Sequence, residues 1–152
     1  MDSLFFTEEH EMIQRMVSEF AKDEIIPVAR KLDKTGEFPK NIVKKMGSLG
    51  LMGINVPTEY GGSGLDMVSY AAAIIELAKA DASIAITMAA HTSLGTLPIL
   101  LYGSTSLKKK YLPKIASGET LSAFGLTEPQ AGSDAGSTKT TAIKLGDHYI
   151  IN

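Results

Sequence analysis

Residues 125–136 carry the clearest chemical signal in this chain. An extended run presents the hydroxyl of Thr127 and then the carboxylate of Glu128, and Pro129 stops the run. The loop that follows is rich in Ala, Gly and Ser, so its backbone can approach a ligand closely. Exposed amides and a serine hydroxyl in such a loop can hold a phosphate or a pyrophosphate. The pattern indicates a ligand-binding loop, and the alternative is a plain polar turn.

Other residues that commonly carry chemistry give weaker signals. The chain has no cysteine, which excludes disulfides and thiolate nucleophiles. No metal site is predicted, because metal-ligand spacing is absent among the three histidines, His10, His91 and His148. His91 lies in an apolar stretch and is interpreted as a core histidine. Beside it, the hydroxyls of Thr92, Ser93 and Thr96 either bond to carbonyls of their own helix or line a pocket.

The composition is that of an ordinary globular protein. Of its 152 residues, 44% are hydrophobic and 21% charged, and a net charge of −2 gives no electrostatic footprint for nucleic acid. Residues 1–9 lack the features of a secretory signal or a transit peptide, so we expect a cytoplasmic location. Residues 84–101 carry no formal charge, but hydroxyls, Gly95 and Pro98 interrupt them. We interpret this stretch as a buried core helix, not a membrane span.

Apolar periodicity predicts the elements that must position these residues. Five helices are expected, at residues 7–32, 39–49, 66–80, 83–102 and 106–117. Thr7 and Asp66 are suitable N-caps, Pro39 suits the first turn, and Pro27 should kink the first helix. The third helix is apolar nearly all round, which predicts a central, buried position. In the fifth helix, four residues are expected to point inward: Leu107, Tyr111, Leu112 and Ile115.

The character of the chain changes after Gly118. Residues 121–126 are predicted to form a strand, and residues 138–145 and 148–151 a hairpin around the two-residue turn Gly146-Asp147. The expected fold is mainly α, with a helical bundle at residues 1–118 and the first strands of a β domain at residues 119–152. A β domain cannot be completed in this length, so we expect the chain to be truncated.

The chain resembles the acyl-CoA dehydrogenase family. Residues 126–134 read LTEPQAGSD, which closely matches the family signature of a hydrophobic residue, Ser or Thr, Glu, three variable residues, Gly, Ser and Asp. Residues 57–64, PTEYGGSG, and 146–152, GDHYIIN, resemble further family segments. Residues 102–113, YGSTSLKKKYLP, resemble another, although Leu107 stands where Gln is common. The resemblance covers essentially the whole chain.

The resemblance implies a reaction and a set of contact residues. The reaction is α,β-dehydrogenation of an acyl-CoA thioester, with FAD as the hydride acceptor. The residues expected to contact the cofactor are Phe124, Leu126, Thr127, Gly132 and Ser133. The residues expected to contact the substrate are Ser133, Leu94, Leu97 and Pro98. The catalytic base is expected beyond Asn152, so no residue of this chain is assigned that role.

The resemblance also implies partners and leaves alternatives open. An electron-transferring flavoprotein is the expected electron acceptor, and the full-length protein is expected to be a homotetramer. Alternatives of the same fold are an acyl-CoA oxidase, which passes flavin electrons to oxygen, and a flavin monooxygenase. A different class of alternative is a non-catalytic helical interaction module.

Overall fold

The computed structural model describes residues 6–152. The prediction about a signal or transit peptide rests on residues 1–9, and the first five of these lie outside the described residues. Within the described range the chain forms five helical rods and one β-hairpin, which confirms the predicted, mainly α fold. The α-helical stretches are α1 (Glu8–Phe20), α2 (Ile26–Thr35), α3 (Lys40–Ser48), α4 (Met67–Ala80), α5 (Ala82–Ala90), α6 (Leu97–Tyr102) and α7 (Thr105–Ala116). The hairpin strands are β1 (Ala142–Leu145) and β2 (His148–Ile151).

The first rod joins α1 and α2 through a π-turn at Ala21–Ile25. Thr7 caps the rod as predicted, since its hydroxyl accepts the N–H of His10 and its own N–H donates to the His10 ring. Proline has no N–H to donate, and its ring crowds the carbonyl four residues earlier. For Pro27 that carbonyl belongs to Asp23, inside the π-turn. The effect of the proline therefore takes the form of this wider turn.

The fourth rod, Ala82–Tyr102, repeats this arrangement. It joins α5 and α6 through a π-turn at His91–Thr96, immediately before Leu97 and Pro98. By length and composition alone the rod could cross a membrane. One of its faces is buried in the helical bundle, while Ile86, Leu94 and Leu101 are exposed. The expectation of a buried core helix therefore holds on one side of the rod.

The prediction that α4 is central and buried holds for one part of its surface and fails for another. Asp66 caps α4 as predicted, and the helix packs between α1 and α5. Its buried apolar residues are Ala72, Ala73 and Leu77. Val68 and Ile75 are exposed, Ile75 with 52% of its surface, because the two neighbouring helices cover only two sides of α4.

The core lies mainly between α1, α3, α4 and α5. The three predicted inward residues of α3 are buried: Ile42, Val43 and Met46. Pro39 precedes α3 as its N-cap and is not its first helical residue. In α7, Leu112 and Ile115 are buried as predicted, but Leu107 and Tyr111 are exposed because only one side of α7 packs against the chain.

The predicted strand at residues 121–126 does not form. Gly118, with φ of +73°, ends α7, and residues 121–127 form no helix, turn, bend or ladder; we call them the extended segment. The predicted hairpin forms, although β1 is shorter than the predicted run 138–145: β1 and β2 are antiparallel, with Leu145 opposite His148 across the Gly146-Asp147 turn. The two strands of this sheet pair only with each other, so residues 121–126 are hydrogen-bonded to neither of them.

Candidate functional site

The residues predicted to contact the cofactor ring lie in the extended segment, residues 121–127, outside the helical core. Phe124 and Leu126 expose 54% and 47% of their surface, and Thr127 is exposed as well. A Cβ placed on Gly125 would have no atom within 4 Å, so the space beside the segment is open. An aromatic ring, a leucine and a hydroxyl thus lie exposed within four residues of extended chain.

Glu128 closes the loop that follows this segment. Its carboxylate accepts the backbone N–H of Lys139 at 2.8 Å and that of Thr140 at 3.0 Å. Its own N–H and C=O pair with Ala131 at 3.1 Å in both directions. The bond from Lys139, with those from Thr140, lowers the pKa of Glu128 to about 2. Glu128 is therefore an ionised anchor of residues 128–140, with both oxygens already engaged.

Gly132 and Ser133, the predicted contacts of cofactor and substrate, lie exposed on the loop that Glu128 closes. A Cβ on Gly132 would meet no atom within 4 Å, so a ligand could approach the backbone there. The neighbouring Asp134 accepts a hydrogen bond from the Ser137 hydroxyl. Both carboxylates of the motif thus hold the loop.

The predicted substrate contacts on the fourth rod lie beside the extended segment. Leu94 belongs to the π-turn and exposes 50% of its surface, and Leu97 and Pro98 are half-buried at the start of α6. Gly95, next to Leu94, packs directly against Ser122, because a Cβ on Gly95 would lie 2.4 Å from the Ser122 carbonyl carbon. The rod and the segment therefore meet at Ser122.

His91 makes the bonds at this junction, a role that the sequence did not reveal. Its Nε2 lies 3.1 Å from the Met52 carbonyl oxygen, and its Nδ1 lies 3.1 Å from the Ser122 backbone nitrogen. The side chain is buried, and burial lowers its pKa. His91 is thus the satisfied core histidine that was predicted. Its partner Ser122 could not be predicted, because it lies 31 residues further along the chain.

The hydroxyls beside His91 mostly follow one of the two predicted alternatives. Ser93 donates to the Ala89 carbonyl and Thr96 to the His91 carbonyl, both at 2.7 Å. Thr92 Oγ1 is buried and has no hydrogen-bond partner among residues 6–152. Two of the three hydroxyls therefore bond within their own helix.

Comparison with known proteins decides the family. Residues 7–119 match the family model described as "Acyl-CoA dehydrogenase, N-terminal domain". The chain belongs to the acyl-CoA dehydrogenase family. It is 51% identical to the "Acyl-CoA dehydrogenase" of Bacillus subtilis over 146 aligned residues. The alignment covers 96% of this chain and 38% of the relative. The chain thus spans less than half the length of this curated relative.

Two solved structures share the fold of this chain closely. One is described as "Crystal Structure of Acyl-CoA Dehydrogenase complexed with FAD from Bacillus anthracis". It is 43% identical, with a TM-score of 0.92, over 100% of this chain and 26% of that chain. Another is described as "Electron transferring flavoprotein of Acidaminococcus fermentans: Towards a mechanism of flavin-based electron bifurcation". It is 45% identical, with a TM-score of 0.95, over 100% of this chain and 40% of that chain.

The exposed residues of this chain fit the cofactor of the family. A flavin needs apolar contacts for its ring faces and hydrogen-bond donors at its pyrimidine edge. Phe124 and Leu126 offer apolar surface that the helical core does not use, and Thr127 offers an exposed hydroxyl. Gly125 and Gly132 leave open space on the same stretch of chain. The donor set and the open space therefore suit a flavin.

Proposed function

We propose that this chain is the N-terminal portion of an enzyme that catalyses α,β-dehydrogenation of acyl-CoA thioesters with FAD. The observation that carries the proposal is the exposed extended segment, with its anchored loop, in a chain of this family. The family match and the similarity to an FAD-complexed relative support it. Bound FAD would supply the acceptor for the hydride that leaves the substrate β-carbon.

Each proposed contact residue has a distinct role. Phe124 and Leu126 contact the flavin ring, and the Thr127 hydroxyl donates to its pyrimidine edge. Gly132 and Ser133 lie where the loop meets cofactor and substrate, with Ser133 on the CoA side. On the fourth rod, three residues line the acyl pocket: Leu94, Leu97 and Pro98.

The base that removes the substrate α-proton comes from outside this chain. A general base must lie within hydrogen-bond reach of the proton that it abstracts and must be free to accept it. Glu128 already accepts two backbone N–H groups, and Asp134 accepts the Ser137 hydroxyl. Neither motif carboxylate is therefore available as the base.

The remaining features of the proposal concern organisation and partners. The helical domain comprises residues 1–118, and residues 119–152 begin the middle β domain, in keeping with the family match that ends at residue 119. The full-length protein is a homotetramer in the cytoplasm and passes its electrons to an electron-transferring flavoprotein.

Cofactor content is the first test of this proposal. The full-length protein, purified from its native source, should show flavin absorbance and an intact mass well above the 16.2 kDa of this chain. Anaerobic addition of a saturated acyl-CoA should bleach the flavin band. A full-length protein without flavin absorbance, even after reconstitution with FAD, would contradict the proposal.

A second measurement separates the related chemistries. A dehydrogenase should reduce an electron-transferring flavoprotein or an artificial acceptor and consume little oxygen. Stoichiometric hydrogen peroxide from acyl-CoA and oxygen would indicate an acyl-CoA oxidase instead. Oxygen incorporation into a substrate, driven by an external reductant, would indicate a flavin monooxygenase.

A further inference from the structure

The extended segment is held to the helical body at few points. Thr120 N–H donates to the Lys114 carbonyl at 3.1 Å, and Ser122 bonds to the π-turn of the fourth rod. Ser122 lies two residues before Phe124 and five before Thr127 in the extended segment. No turn or bend lies between Ser122 and Thr127, so a displacement of Ser122 is passed on along the chain to the residues that follow it.

His91 is the centre of the junction at Ser122. The Met52 carbonyl oxygen can only accept, so the proton of the neutral imidazole must lie on Nε2. Nδ1 is then an acceptor, and it faces the Ser122 N–H at 3.1 Å. The neutral ring thus joins three segments of the chain: the turn at Leu51–Gly53, the π-turn at His91–Thr96, and the extended segment.

Backbone and hydroxyl contacts reinforce this junction. The Ser122 hydroxyl lies 3.0 Å from the His91 carbonyl oxygen and 3.0 Å from the Thr96 hydroxyl. Gly95 makes the approach possible, because a Cβ there would lie 2.4 Å from the Ser122 carbonyl carbon and 2.5 Å from its Cβ. Ser122 is therefore held both by the imidazole and by close packing.

We infer that His91 is a positioning residue for the flavin site, because its Nδ1 holds Ser122 and through it the extended segment that carries Phe124, Leu126 and Thr127. This inference rests on the proposed function. It assigns His91 no contact with cofactor or substrate. The π-turn that carries His91 is the kind of helical irregularity that is frequent at functional sites.

Two substitutions of His91 separate its two hydrogen bonds. The amide oxygen of His91→Asn can occupy the place of Nδ1 and keep an acceptor for Ser122, while the bond to Met52 is lost. The amide nitrogen of His91→Gln can occupy the place of Nε2 and keep the bond to Met52, while the acceptor for Ser122 is lost. His10→Gln is the matched control, since His10 is also buried but bonds to Thr7 and Asp66.

The experiment measures the FAD dissociation constant, the flavin reduction potential and the Tm of each variant in the full-length protein. We expect His91→Gln to weaken FAD binding about tenfold and to shift the potential, because the partly buried Ser122 N–H loses its acceptor. His91→Asn and His10→Gln should stay within about threefold of the wild type. Equal effects of His91→Asn and His91→Gln, or affinities that merely follow Tm, would overturn the inference.

Gly95→Ala tests the same junction without altering the imidazole. Its new methyl group would meet Ser122, so it should also weaken FAD binding and shift the potential. If His91→Gln fails to fold, this variant decides the question, and unchanged flavin properties would refute the inference. A wild-type protein that binds no FAD would instead refute the proposed function, which is a separate outcome.

Discussion

Several polar side chains of this chain act as internal connectors between distant segments. Glu128 joins the two ends of its loop, and His91 joins the fourth rod to the extended segment. His10 joins the start of α1 to Asp66, the cap of α4, at 3.0 Å. The signature glutamate is thus explained by the backbone amides that it satisfies, and the motif needs no catalytic carboxylate to account for it.

Substitution of Ser133 tests the substrate side of the site. Ser133→Leu should raise the dissociation constant of a product-like enoyl-CoA roughly tenfold or more, because the larger side chain would project from the exposed loop into the proposed CoA path. Ser133→Ala is the matched control and should change the constant far less. Titration of the full-length protein measures both, and an unchanged constant in Ser133→Leu would remove Ser133 from the site.

The loop around Glu128 should loosen in acid. The hydrogen bonds that depress the pKa of Glu128 from 4.5 to about 2 favour its charged form, so they are fully present above pH 4.5 and are lost as pH falls through 2. Hydrogen-exchange protection of the Lys139 and Thr140 amides should fall over this range. In Glu128→Gln, protection should be low throughout and independent of pH. A wild-type protection factor that stays constant down to pH 2 would contradict this account.

At the level of elements, helix existence could be predicted from the sequence, but helix burial could not. Apolar period and the caps Thr7 and Asp66 identified the first and third rods correctly. The spacing of apolar residues along a helix does not reveal how many neighbouring helices pack against it. Ile75 and Tyr111 are therefore exposed although their residue types suit a core. The π-turns were also not predicted, because a proline signals a disturbance without specifying its geometry.

Two residues of α4 should differ sharply in their effect on stability. Leu77 is fully buried, so Leu77→Ala should lower the free energy of unfolding of the 152-residue chain by about 2–5 kcal/mol. Ile75 lies on the same helix but is exposed, so Ile75→Ala should cost less than about 1 kcal/mol. Urea unfolding followed by helical circular dichroism gives both values. Equal losses would mean that the exposed face of α4 is covered in solution.

At the level of the whole molecule, local signals specified the pieces and long-range contacts placed them. The hairpin turn at Gly146-Asp147 is encoded by two adjacent residues and was predicted correctly. The strand predicted at residues 121–126 does not form, because a strand needs a partner and these residues do not supply one themselves. The placement of these residues depends instead on His91 and Gly95, whose distance in sequence hides the contact.

The helical rods and the segments that follow them should respond differently when the 152-residue chain is studied by itself. The first four rods share one buried core, and the fifth packs in a second, smaller cluster around Leu112, so the rods should fold. Every residue of both hairpin strands is exposed, including the large apolar residues Ile143, Tyr149 and Ile151. A two-stranded hairpin is marginally stable in water, so it should be mobile or should pair with another copy of the chain.

The 152-residue chain by itself should therefore be catalytically silent. Removal of an α-proton needs a free base within reach, and the two signature carboxylates, Glu128 and Asp134, are engaged in closing their loop. FAD should bind weakly, because the extended segment offers one side of a site with open space opposite it. The purified chain should be mixed with FAD, acyl-CoA esters of several lengths and an artificial electron acceptor, with the full-length protein as the positive control. Acceptor reduction that requires both FAD and acyl-CoA would show that this chain supplies its own base, and the assignment of Glu128 as a loop anchor would then be the first to be re-examined, by Glu128→Gln.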